Sequence, residues 1–101
     1  ITSSKVEASV PLARYLQKAM IANLRRAYAE LKDLGVTKAP FWVLTGATMP
    51  CALVEVNFLS NRAEEKLLRT ADYQNAAAQA IARGVGDYLD NYHYVSMNQT
   101  K

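Results

Sequence analysis

The chain has 101 residues, half of them hydrophobic, and a formal net charge of +3. This composition excludes a disordered chain, and the length limits it to one domain with a modest core. The basic residues are spread along the chain with no aromatic-and-basic block, which argues against nucleic acid as a partner.

Cys51 is the only cysteine, so no internal disulfide can form, and its apolar setting reads as a small core residue rather than a nucleophile. No run of residues has the length of a membrane span. The chain begins with Ile1 rather than Met, which reads as something other than a native translation start, so a missing leader says nothing about location.

The first predicted element is a long amphipathic helix over about Val10 to Leu34. Leu12, Leu16, Met20, Leu24, Ala27 and Leu31 recur at three- and four-residue spacing on one face. Its start has two readings. Ser4-Lys5-Val6-Glu7 forms a capping-box pattern that puts Pro11 inside the helix, whereas Ser9 as cap puts Pro11 in the first turn. Gly35 after Leu34 suits a left-handed C-cap.

Two short strands are predicted next, Phe41–Leu44 and Cys51–Val56, each bounded by Pro, Gly or Asn. The second is apolar apart from Glu55, the pattern of a strand buried on both faces. The link Thr45–Pro50 is too short for a parallel crossover, so the strands are antiparallel neighbours or not adjacent. Asn61-Arg62-Ala63-Glu64 is another capping box and opens a short helix to about Leu68. A third helix is expected from about Asp72 to Tyr92, with Tyr73, Ala77, Ala80, Ile81, Gly84, Tyr88 and Leu89 on its apolar side. Ala76-Ala77-Ala78 and Gly84 would allow close helix-to-sheet packing, and the polar tail after His93 reads as frayed. Two strands make a poor sheet, so the chain reads as part of a larger α/β sheet.

Glu55 is the residue that carries chemistry. An ionised carboxylate in an apolar strand is costly unless it is paired, metal-bound or at a site. The polar turn Ser60-Asn61 places it near the strand's C-terminal end, where open α/β sheets form their clefts. A plain ion pair with an Arg or Lys across the sheet is the competing explanation.

The stretch Met49-Pro50-Cys51-Ala52-Leu53-Val54-Glu55-Val56-Asn57-Phe58-Leu59-Ser60-Asn61 closely resembles the last sheet strand of the zinc-dependent N-acetylmuramoyl-L-alanine amidases, which are bacterial cell-wall hydrolases. The likeness continues in order through the Leu12-to-Leu34 helix, the Lys32-Asp33-Leu34-Gly35-Val36 turn, Pro40–Leu44 and the Tyr73–Tyr88 helix. The resemblance implies an α/β fold: residues 1–101 would be the C-terminal portion of one three-layer amidase domain of sheet and helices, contributing two strands and three helices. The missing N-terminal half would be its partner.

By the same resemblance Glu55 is the catalytic carboxylate. It would take a proton from a zinc-activated water and pass it to the leaving amine as N-acetylmuramic acid is cut from L-alanine. An apolar strand raising its pKa toward working pH would suit this role. The family holds zinc with two histidines and a glutamate N-terminal to this region. His93, the single histidine, matches none of them, so no ordinary zinc set can be assembled from this chain. The expectation is therefore that zinc ligands lie outside the chain and that the chain alone is inactive. Asn57 stands where the family commonly has a small residue.

The substrate implied is peptidoglycan and the location periplasmic or extracellular. The Met49-Pro50-Cys51 and Lys32–Val36 details look most like periplasmic members. Asn61 and Glu64 read as a helix cap, Glu65 and Asp72 as equally plain, and Trp42 and Tyr73 as core rather than glycan groove. Two rival readings are a non-catalytic envelope or partner-binding module that keeps the half-fold, and a helical interaction domain built on the long first and third helices.

Overall fold

A computed structural model describes residues 3–28, 32–36, 44, 46–56 and 61–99. Among these residues there are three helices, α1 (Ser3–Leu24), α2 (Arg62–Leu68) and α3 (Ala71–Gln99), and no strand. The expected α/β architecture with two strands is therefore corrected. The reason is physical: a strand is defined by its ladder, and an isolated apolar run finds no neighbour to pair with. Phe41–Val43 lies outside the described residues. Leu44 belongs to a tight turn in which the Ala47 amide donates to its carbonyl at 3.2 Å.

Helix α1 begins earlier and ends earlier than the sequence suggested. Pro11 sits inside it, so the backbone carbonyl four residues before loses its intrahelical donor. The C-terminal turns tighten at Leu24, whose carbonyl accepts from Ala27 at 3.2 Å and Tyr28 at 2.9 Å. Ala27, expected on the apolar stripe, is exposed. The chain bends there because Tyr28 packs edge-on against Tyr73, with ring centroids 4.9 Å apart at 81°.

Gly35 does not cap that helix. It does adopt a left-handed φ of +82°, in a turn where Asp33 Oδ1 accepts from the Gly35 amide at 2.9 Å and from Gln17 Nε2 at 2.7 Å. The Gln17 hydrogen bond, then the Gly35 amide, hold the Asp33 carboxyl below its ordinary range.

Helix α2 starts where the capping box placed it. Asn61 is the N-cap, and its Oδ1 accepts from Ala63 at 3.0 Å and Glu64 at 3.1 Å. A short turn leads to α3. There the Thr70 hydroxyl donates to the Leu67 carbonyl at 2.7 Å and accepts from the Tyr73 amide at 3.3 Å. Helix α3 continues through His93 to Gln99, so the polar tail is helical rather than frayed.

The core is a helix-on-helix seam. Leu16, Ala19, Met20 and Leu24 of α1 are buried with Tyr73, Ala77, Ala80 and Tyr88 of α3, at the spacing that puts each set on one face. Tyr15 and Tyr88 add an edge-to-face contact at 6.3 Å. Gly84 marks the closest approach: a Cβ there would lie 2.8 Å from Leu16 Cα and 3.1 Å from the Tyr15 carbonyl oxygen. The small residues of α3 thus serve helix-to-helix packing, not the helix-to-sheet packing expected. Leu89, assigned to the apolar side, is exposed.

Candidate functional site

The segment Pro50–Val56 has no regular structure, yet from Ala52 to Val56 its burial alternates with a period of two. Val54 and Val56 pack inward against the cluster of Met20, Leu24, Tyr73 and Ala80. Leu53 and Glu55 point the other way and are exposed, Leu53 to 45%. The alternation is that of a half-buried extended segment with one face on a core. It corrects the expectation of burial on both faces. Glu55 stands on the open side, not enclosed in apolar surroundings, so it is held in place by the chain around it rather than by a closed pocket.

Two anchors fix that chain. The first is the inward pair Val54 and Val56. The second is a long-range hydrogen bond: the Cys51 amide donates to the Ser9 hydroxyl of α1 at 3.0 Å. Ser9 was weighed from sequence only as a helix cap. In the fold it lies within α1, and its hydroxyl ties down the N-terminal end of the Glu55 segment. No local pattern signals this, because the partners are far apart in sequence. Cys51 is partly buried, with its Sγ 4.0 Å from the Leu44 carbonyl oxygen, consistent with a packed thiol.

The remaining sequence-selected residues take structural places. Asn61 caps α2 and Tyr73 is fully buried in the core. Glu65 pairs with Arg69 along α2 at 2.8 Å, and Asp72 is exposed in the first turn of α3. His93 lies on the α3 backbone, which runs to Gln99. Trp42 and Asn57–Ser60 lie outside the described residues. Among the described residues no three His, Cys, Asp or Glu side chains come together as a set that could hold a metal ion. The described residues therefore assemble no zinc site. No described helix is long and apolar enough to cross a membrane.

The exposed face of α2 was not singled out from sequence. Arg62 and Lys66 share it with the C-cap Arg69 at helical spacing, around an open hollow that Ala63 and Glu65 complete.

Comparison with known proteins gives these features a family. The family described as N-acetylmuramoyl-L-alanine amidase matches residues 1–87. The N-acetylmuramoyl-L-alanine amidase AmiC of Neisseria meningitidis serogroup B is 49% identical over 78 residues, covering 77% of this chain and 18% of that protein. The N-acetylmuramoyl-L-alanine amidase LytC of Bacillus subtilis is 36% identical over 87 residues, 86% of this chain and 16% of LytC. The B. subtilis protein YqiI is 33% identical over 84 residues, 83% of this chain and 38% of YqiI. The chain thus spans well under half the length of these relatives. No solved structure matches it. With most of its length, including the Glu55 segment, α2 and α3 as far as Asp87, inside the matched region, this chain belongs to the N-acetylmuramoyl-L-alanine amidase family.

Proposed function

We propose that the chain is part of a peptidoglycan hydrolase of the cell envelope, one that cuts the amide between N-acetylmuramic acid and L-alanine, and that Glu55 is its proton-transfer group. The observation that carries this is the placement of Glu55. A carboxylate stands on the open side of a segment whose alternate residues are locked into the core. A general base must be positioned yet reachable, and this arrangement supplies both. The family match and the amidase names of the relatives support the reaction class.

The metal of such a reaction would be held by residues outside these 101, since this chain brings no ligand set together among its described residues. What this chain supplies is Glu55: its carboxylate accepts a proton from the attacking water and returns it to the amine of L-alanine as the C–N bond breaks. The remainder of a longer protein would cover the open side of the segment, where Leu53 is exposed beside Glu55.

The test is Glu55→Gln in the full-length protein, followed by muropeptide release and melting temperature. Gln keeps the shape but cannot take the proton. The expected result is a rate loss of ~10²–10⁴-fold, with the melting temperature unchanged because the side chain is exposed. Near-normal turnover together with a lower melting temperature would assign Glu55 to a structural ion pair instead.

A further inference from the structure

Helix α1 holds the Glu55 segment at two levels, and the two contacts do different work. Val54 and Val56 rest against the cluster that includes Met20 and Leu24 of α1. Apolar burial has no direction. These contacts decide which face of the segment turns inward, but they fix its position along the helix less sharply. In a sheet the ladder fixes that position. Between described residues no backbone hydrogen bond holds Ala52–Val56. Register matters here because the side chains alternate. A slip of one residue would turn Glu55 toward the core and Val54 toward solvent.

The directional contact is at the other end of the segment. The Cys51 amide donates to the Ser9 hydroxyl at 3.0 Å, between two half-buried residues, and such a bond weakens steeply with misalignment. From Ser9 to Met20 the helix rises about 16–17 Å. The extended chain from Cys51 to Val56 covers about the same. A bond at Ser9 and a seat near Met20 are thus in step. We propose that Ser9 is a positioning residue for Glu55: its hydroxyl sets the register of Cys51–Val56 on α1 and so keeps the carboxylate on the open side. The proposal rests on the amidase reading above and adds to it a residue that acts only through the chain it holds. A helix serine can give its own hydrogen to a carbonyl one turn back, which leaves its oxygen as the acceptor. A proton-transfer group must meet its proton at hydrogen-bond distance. Lost register would therefore be felt in the chemical step rather than in substrate binding.

The experiment uses the full-length protein. Ser9→Ala, and the similarly shaped pair Ser9→Thr and Ser9→Val, are each made alone and together with Glu55→Gln. Muropeptide release is measured per folded molecule, with the folded fraction read by circular dichroism. Ser9→Ala and Ser9→Val should lower kcat about tenfold or more, with KM nearly unchanged. Ser9→Thr, which keeps the hydroxyl, should retain kcat. With Glu55→Gln already in place, loss of the hydroxyl should cost nothing further, because the residue it positions no longer takes a proton. A serine that only stabilises the fold would lower the folded fraction and leave kcat per folded molecule intact, and that result would overturn the proposal. An equal loss in both backgrounds would overturn it too. Normal turnover by Glu55→Gln would sink the Glu55 reading and this proposal with it. A crippled Glu55→Gln beside a normal Ser9→Val would overturn the positioning role alone.

Discussion

Ser9 shows how a single hydroxyl can govern the position of a residue far along the chain. Its bond to the Cys51 amide at 3.0 Å fixes the segment four residues before Glu55. Removing the acceptor leaves a partly buried N–H without it, a cost of about 1–3 kcal/mol. Ser9→Ala should therefore lower the melting temperature and accelerate hydrogen exchange at the Cys51 amide, while Ser9→Thr, which keeps the hydroxyl, should restore both. Unchanged exchange at Cys51 in Ser9→Ala would mean that Val54 and Val56 alone hold the segment. Glycine gives a second residue-scale test, because two glycines of α3 make opposite predictions. At Gly84 a methyl group would strike backbone, Leu16 Cα at 2.8 Å. Backbone cannot swing away as a side chain can, so overpacking at about 1–3 kcal/mol outweighs the helix-propensity gain of at most about 1 kcal/mol. At Gly86 the same methyl would meet nothing within 4 Å, and propensity wins. Gly84→Ala should lower the melting temperature by several degrees and Gly86→Ala should raise it, since 1 kcal/mol is worth roughly 4–8 °C at this size. A matched rise in both variants would contradict the close crossing of α1 and α3.

At the scale of elements, what could be read from the sequence depended on how local its cause is. Helix α2 was legible to the residue because its start is set by Asn61 and the amides of Ala63 and Glu64 just beyond it. The inner face of α3 was legible because Tyr73, Ala77, Ala80, Gly84 and Tyr88 follow one helical stripe, and all are buried. The end of α1 was not. Apolar spacing continues through Ala27 and Leu31, and only a tertiary contact, Tyr28 against Tyr73, explains the turn after Leu24. The segment Cys51–Val56 divides the same way. Its period-two pattern is real, since Val54 and Val56 face the core while Leu53 and Glu55 do not. The strand was misread because a ladder is a property of two segments, and one segment's sequence cannot supply the other. The exposure of Glu55 was not legible, because burial on both faces rested on composition alone. The same limit hid Ser9, whose partner is remote.

The whole molecule carries more surface than its mass explains. A compact monomer of 11.2 kDa should expose roughly 5,700 Å², against 7780 Å² here. The radius of gyration of 15.2 Å likewise exceeds the roughly 13 Å of a compact chain of this length. The difference in area, on the order of 2,000 Å², is comparable to what a stable protein interface buries in total. Large apolar side chains are exposed on several elements: Leu34 at 69%, Met49 at 58%, Leu89 at 53%, and Leu53 at 45% beside Glu55. Such a surface invites cover by the rest of a longer protein, and without it by another copy. Residues 1–101 alone should therefore self-associate as concentration rises, and their melting temperature should depend on concentration. They should also hold no zinc at sub-micromolar affinity, because one histidine and one partly buried cysteine cannot make a closed ligand set. Sedimentation across a concentration series, paired with equilibrium dialysis against zinc, tests both statements on one preparation. A concentration-independent monomer with a sharp melt would mean that the open face is stable in water. Stoichiometric tight zinc on that monomer would place the metal site within these residues and overturn its assignment to the rest of the protein.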